Sequence, residues 1–131
     1  MKKAPIKSFQ NLQVWQIAHK LVLMIYIVVD KFPKKEEFRL TSQIIRAVIS
    51  IPSNIAEGMG RYTRKEFIKY LIVSRGSLEE VKYQIILAKD LNYIDQITFE
   101  KLISEIQLLG KKINSLISSL KSKSDEKNRS K

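Results

Sequence analysis

The stretch SIPSNIAEGMGR, residues 50 to 61, holds the densest set of groups that could do chemistry: an amide (Asn54), a carboxylate (Glu57) and a cation (Arg61), with Arg46 one turn upstream of Ser50. At about 100° per residue, Gln43, Arg46, Ser50, Ser53, Asn54, Glu57 and Arg61 share one arc of a helix. A general base needs a neighbour that positions it and a shifted pKa. Glu57 instead stands four residues before Arg61, the favoured order for a helical ion pair, and that pairing makes it structural. Adjacent Glu79 and Glu80 do not face each other and form no carboxylate dyad. His19 is the single histidine, with no cysteine in the chain and no acid near it in sequence, so metal and thiolate chemistry have no ligand set. AEGMGR has two glycines but lacks the strand that precedes a phosphate-cradling loop, and reads as a helix stop. No catalytic residue, metal or cofactor is expected, and the protein is not expected to be an enzyme.

A second constellation suits binding. Arg61, Arg64, Lys65, Lys69 and Arg75 face one acid, Glu66, over fifteen residues, with Tyr62 and Tyr70 interleaved. Clustered cations neutralise backbone phosphates. The same residues span a wide helical arc and also suit a solvated face, while the tyrosines also suit a core or an interface. The chain as a whole carries a net charge of +11. Part of the excess sits at the ends, on Lys2, Lys3 and Lys7, and on Lys121, Lys123, Lys127, Arg129 and Lys131 against Asp125 and Glu126. No helix-turn-helix or RNA-binding aromatic signature is present, so any contact to RNA or DNA is expected to be to phosphates. A scaffold for a protein partner, with the charge serving solubility, is the alternative.

The elements that must position these groups are helices. At 131 residues with 44% apolar composition the chain is one globular domain. Its longest apolar run, LVLMIYIVV at 21 to 29, is less than half of the roughly 20 residues a bilayer-spanning helix needs. No membrane association and a cytoplasmic location are expected. Punctuation at Phe32-Pro33, Gly58 to Tyr62 and Asn92 to Asp95 divides the body into helices of about 12–31, 40–59, 63–91 and 96–120. Asn11 is the expected N-cap of the first, Gly60 a left-handed cap of the second, Thr63 and Glu66 a capping box for the third, and Asp95 the N-cap of the fourth. Residues 1–10 form a basic N-terminal segment and 121–131 a basic flexible tail. Short connections force antiparallel neighbours, so the predicted fold is all-α, a single up-down-up-down four-helix bundle over 11–120.

Two seams support it. Phe99, Leu102, Ile106, Leu109, Ile113, Leu116 and Leu120 alternate spacings of three and four, as do Phe67, Leu71, Ser74, Leu78, Val81, Ile85 and Ala88. The second helix carries more apolar residues than one core can use. Ile44, Val48, Ile51 and Ile55 fall on one line, and Ile45, Ile49, Pro52 and Ala56 on the next, while Leu23 and Ile27 interrupt the polar face of the first helix. Leu23, Ile27, Ile45, Ile49 and Ala56 are therefore expected to meet other subunits of a homo-oligomer. Pro52 leaves the Val48 carbonyl without its helical donor, and Ser53 and Asn54 are candidates to serve the freed backbone groups.

FQNLQVWQIAHKL, KFPKKEEFRLTSQIIRAVISIPSNIAEGMGR, FIKYLIVSRGSLEE and LAKDLNYI, in that order over roughly residues 8 to 115, carry a resemblance. The chain resembles the four-helix-bundle family encoded by intervening sequences of bacterial large-subunit (23S) ribosomal RNA genes, itself similar to the accessory protein of diversity-generating retroelements. SIPSNIAEG is the most specific block. The resemblance implies an antiparallel bundle assembled as a ring-like homopentamer, with a reverse transcriptase and nucleic acid as the partners of the retroelement relative. It brings no established biochemical activity with it, and so implies the fold more than the function. The chain departs from the family where Ile45-Arg46 replaces a frequent pair of basic residues and Met59 a frequent aromatic, so no basic or stacking role carries over to Ile45 or Met59.

Overall fold

The computed structural model describes residues 8–129, with side-chain surroundings for 8–123. Lys2, Lys3 and Lys7, and the side chains of Lys127, Arg129 and Lys131, lie outside the described residues. A short 3₁₀ turn, Phe9–Asn11, precedes α1 (Gln13–Val29); a second, Lys34–Glu36, leads into α2 (Leu40–Met59), followed by α3 (Arg64–Asp90) and α4 (Gln96–Arg129). Each helix packs on its neighbour in sequence and α4 closes on α1, whereas among the described residues the diagonal pairs α1/α3 and α2/α4 bring no Cα atoms within 8 Å. This is the predicted four-cornered antiparallel bundle.

One core runs down its axis, filled by Leu21 and Ile25 of α1, Ile44, Val48, Ile51 and Ile55 of α2, Leu71, Leu78 and Ile85 of α3, and Leu102, Leu109 and Ile113 of α4. The α3 seam is buried as predicted, with Phe67 half-buried at its start. Along α4 the seam drifts: Leu102, Ile106, Leu109 and Ile113 are buried, but the next buried position is Ile117, with Leu116 and Leu120 half-buried beside it. A straight helix of 3.6 residues per turn slips about 20° per heptad against a 3.5-residue pattern, which moves the seam one residue on after a few turns.

The helix ends correct several expectations. Asn11 does not cap α1. It ends a 3₁₀ turn whose cap is Ser8, and extended Leu12 precedes α1 with no side-chain cap bond. Gly60 is right-handed, at φ −74°, with its N–H shared among the carbonyls of Ala56, Glu57 and Gly58. The left-handed residue is Asn92, at φ 65°. Around it the Tyr93 N–H reaches the Ala88 carbonyl and the Asn92 N–H the Lys89 carbonyl, a Schellman ending for α3. Thr63 and Asp95 cap as predicted: Thr63 Oγ1 accepts from the Glu66 N–H at 3.1 Å, and Asp95 Oδ1 from the Thr98 N–H at 2.7 Å. The fourth helix does not stop near Leu120 but continues to Arg129. Its last turns lack apolar residues, yet adding a turn to an existing helix avoids the nucleation penalty that a free segment would face.

Between α2 and α3 the backbones approach closely. A Cβ built on Gly58 would lie 2.6 Å from Tyr70 Cβ and 3.1 Å from Phe67 Cδ1. Tyr70 Cβ is fixed to its own backbone and cannot swing aside. Further along, Ser74 Oγ, fully buried, donates to the Ile51 carbonyl at 2.9 Å, and Asn54 Nδ2 donates to the Ser50 carbonyl at 2.8 Å. The Val48 carbonyl that Pro52 strands is thus not the one these side chains serve, and Ser53 points to solvent. At the opposite end, buried Glu36 accepts from the Tyr93 hydroxyl at 3.0 Å, tying the α1–α2 linker to the α3–α4 turn.

Gly58→Ala is expected to destabilise the bundle by about 1–3 kcal/mol, the usual cost of overpacking, whereas Gly76→Ala, where a Cβ would meet nothing within 4 Å, should not destabilise the isolated subunit. Urea unfolding of both variants checks the contrast. Hydrogen bonds from Thr98, backbone first, hold the Asp95 carboxyl below its ordinary pKa, with Lys31 and Lys101 adding to the effect. The stability it contributes is present above the unfolded-state value of about 3.9 and is lost as pH falls through the lowered folded value. Asp95→Asn should therefore melt below the parent at pH 7 and converge with it under acid; a gap that persisted at about pH 2 would contradict this.

Candidate functional site

The Ser50–Ser77 hydroxyl contact at 2.8 Å and the seat of Leu78 against Gly110 mark one level across the bundle. Above it lie 51–77 and 111–123, carrying nine basic residues and two acids, Glu57 and Glu66. Below it lie 20–50 and 78–110, with nine basic and nine acidic residues. The start of α1, which lies beside Lys112 and Leu116, adds no acid. The positive excess of the described body is thus gathered at the end formed by the α2–α3 turn, the start of α1 and the last turns of α4. Sequence separation hides this, because 61–75 and 111–123 meet only through the antiparallel α3–α4 pairing.

At this end the five predicted cations divide. One Arg61 amino group donates to Glu57 Oε1 and to the Tyr70 hydroxyl, both at 2.7 Å, and the guanidinium lies 5.2 Å from the centre of the Tyr70 ring. Its pKa is raised, chiefly by the Tyr70 oxygen, with Glu57 adding to it against the opposing effect of desolvation. Arg75 donates to Asn114 Oδ1 at 3.0 Å, pinning α3 to α4. Arg64, Lys65 and Lys69 are not buried and take part in no ion pair among the described residues. The tyrosines divide too: Tyr70 is half-buried over Gly58, while Tyr62, in the turn between α2 and α3, is wholly exposed at 104% of its reference area.

Within the polar stripe of α2, Ser50 and Asn54 are half-buried beside α3, whereas Gln43, Arg46, Ser53 and Glu57 stay exposed. Asn54 Nδ2 reaches the Ser50 hydroxyl at 3.0 Å, and Ser50 meets Ser77. Arg46 lines a cavity of about 230 Å³ together with Gln43, Ala47, Ser50, Ser77 and Glu80. Gln84, buried on α3, leaves its Oε1 without a partner. Glu57 is held by Arg61, so the stripe itself presents hydroxyls and amides, while Glu80 at the cavity beside it is exposed and takes part in no ion pair among the described residues. Among the described residues no three His, Cys, Asp or Glu side chains gather as a metal site. His19 stacks on Trp15, ring centres 4.9 Å apart and nearly parallel, and Trp15 leans on Phe9.

Of the expected interface residues, Leu23, Ile27 and Ile49 are exposed in the single subunit, and Ile45 and Ala56 are half-buried. Apolar exposure extends beyond that group. Tyr26 joins Leu23 and Ile27 on α1, and Ile72, Gly76, Tyr83 and Ile86 form an outer line along α3. The α3 line was visible as intervals of four, seven and three residues; its polar neighbours Lys69, Glu79, Glu80 and Lys82 obscure it. No described helix is long and apolar enough to cross a membrane.

Comparison with known proteins gives the same architecture. Residues 10–115 match the model of the 23S rRNA-intervening sequence protein family. The fold is similar to the crystal structure of a protein of unknown function from the S23 ribosomal protein family of Bacteroides thetaiotaomicron, with a TM-score of 0.73 and 23% identity over 80% of this chain and 95% of that one. No curated protein matches.

Proposed function

The chain belongs to the 23S rRNA-intervening sequence protein family, and from that premise we propose that it is a non-enzymatic, self-associating bundle that holds nucleic acid by its backbone phosphates. The observation that supports this reading is the one-ended charge: nine cations against two acids on one side of the Ser50–Ser77 level, balanced charge on the other. Phosphate neutralisation needs cations clustered on one surface, and Arg64, Lys65 and Lys69 stand there without carboxylate partners among the described residues. Self-association is supported by the apolar residues the single subunit leaves in water, Leu23 at 53% and Ile27 at 67% exposure, with Ile49 on α2. A closed ring, the pentamer of the family resemblance, would set several cationic ends side by side and multiply weak phosphate contacts. Exposed apolar surface on α3 gives the second reading its basis: a scaffold for a protein partner such as a reverse transcriptase.

Arg64/Lys65/Lys69→Ala is expected to flatten the decline of log binding constant with log salt by roughly 0.7 to 0.9 for each phosphate no longer neutralised, measured on short RNA and DNA. An unchanged slope, or no binding by the parent at low salt, would remove the phosphate reading and favour the protein scaffold. Ile27→Glu, which touches no core position, should leave helical content intact and lower the mass seen by light scattering. A parent that is already monomeric at micromolar concentration would rule out self-association.

A further inference from the structure

Tyr62 has no intramolecular role that accounts for an aromatic residue. It is wholly exposed, whereas the other tyrosine of the basic stretch, Tyr70, packs over Gly58 and engages Arg61. It sits at the tip of the α2–α3 turn, between Arg61, which its contacts with Glu57 and Tyr70 hold in place, and Arg64 and Lys65, which pair with no carboxylate among the described residues. The turn projects from the end of the bundle where the positive excess lies. An exposed aromatic ring flanked by cations suits a nucleotide whose base is free to stack and whose phosphates lie to either side. A duplex offers phosphates but keeps its bases paired within the helix, and a short turn presents no helix or ribbon to enter a groove.

We propose that the Arg61–Lys65 turn selects single-stranded over double-stranded nucleic acid, with the Tyr62 ring stacking on an unpaired base while Arg64 and Lys65 neutralise the adjoining phosphates. This inference rests on the phosphate-binding reading and adds the strandedness of the ligand. Arg61 acts as a positioning residue: bound to Glu57 and Tyr70, it fixes the root of the turn. Stacking does not discriminate strongly among bases, so the preference is for unpaired strands, not for a sequence.

The test uses the full chain with a dye-labelled single strand of about 20 nucleotides, long enough to span a typical single-strand site, and the duplex formed with its complement, in fluorescence anisotropy at low salt. Tyr62→Ala should weaken single-strand binding about 5- to 150-fold, the range for removal of one base–aromatic stack, and leave duplex binding within about twofold. Tyr62→Phe should restore the single-strand affinity, because the ring and not the hydroxyl stacks. Equal weakening on both ligands, or no weakening on either while Arg64/Lys65/Lys69→Ala still weakens both, would overturn the stacking role and leave phosphate binding standing. If neither variant changes binding to either ligand, both readings fail together. Circular dichroism and light scattering on each variant separate these outcomes from a change of fold or assembly.

Discussion

The close approach of α2 and α3 at Gly58 constrains the position of nearly everything else at that end of the bundle. With no side chain on Gly58, the Tyr70 Cβ seats directly against the α2 backbone. That seat sets the height at which α3 starts relative to the end of α2, and so how Arg61 can reach both Glu57 and the Tyr70 hydroxyl. The same closeness lets Ser74 reach the Ile51 carbonyl and Ser50 reach Ser77. Larger side chains at either of these α3 serines would push the helices apart. The small and polar residues of α2 are therefore the means by which two helices lie close enough to share hydrogen bonds, and they sit where a bulky apolar seam would have kept them apart.

Charge and burial divide the molecule along different lines. The core draws aliphatic residues from all four helices, and the α3 seam, like the α4 seam from Leu102 to Ile113, can be read from spacing alone. The charge is asymmetric along the axis. The Ser50–Ser77 level separates a strongly basic end from a balanced one, a partition assembled from segments that are remote in sequence. Packing accounts for the core, whereas nothing in the packing requires Arg64, Lys65 or Lys69 to be basic; their charges are unspent on internal pairs among the described residues. This separation is why the cationic end, and not the polar stripe of α2, is the better candidate for contact with a ligand.

Local chemistry was legible in the sequence and non-local geometry was not. Thr63 and Asp95 announce their helices because a cap is decided within four residues, and the α3 seam follows from a period that the bundle preserves. Asn11 misled because the extended residue Leu12, which lacks a capping side chain, intervened between a 3₁₀ turn and α1. Gly60 misled because the chain turns there by sharing one N–H among three carbonyls, and the left-handed conformation falls instead on Asn92. The polar stripe was visible as a stripe, but the hydroxyl of Ser77 that completes it lies 27 residues from Ser50. Similarly, no local pattern distinguishes Tyr62 from Tyr70: one is placed at the tip of a turn and the other over a glycine of another helix. The extension of α4 to Arg129 escaped an apolar-period reading because the residues after Leu120 offer no apolar period to read.

The division of charge at the Ser50–Ser77 level gives the subunit a lengthwise electric moment. A polyanion at a distance exerts a torque on such a body as well as an attraction, so rotation precedes collision and the α2–α3 turn leads. Subunits joined side by side with parallel axes would add their moments, and antiparallel neighbours would cancel them. In an assembly of copies, their relative direction would thus decide whether the whole has a front and a back.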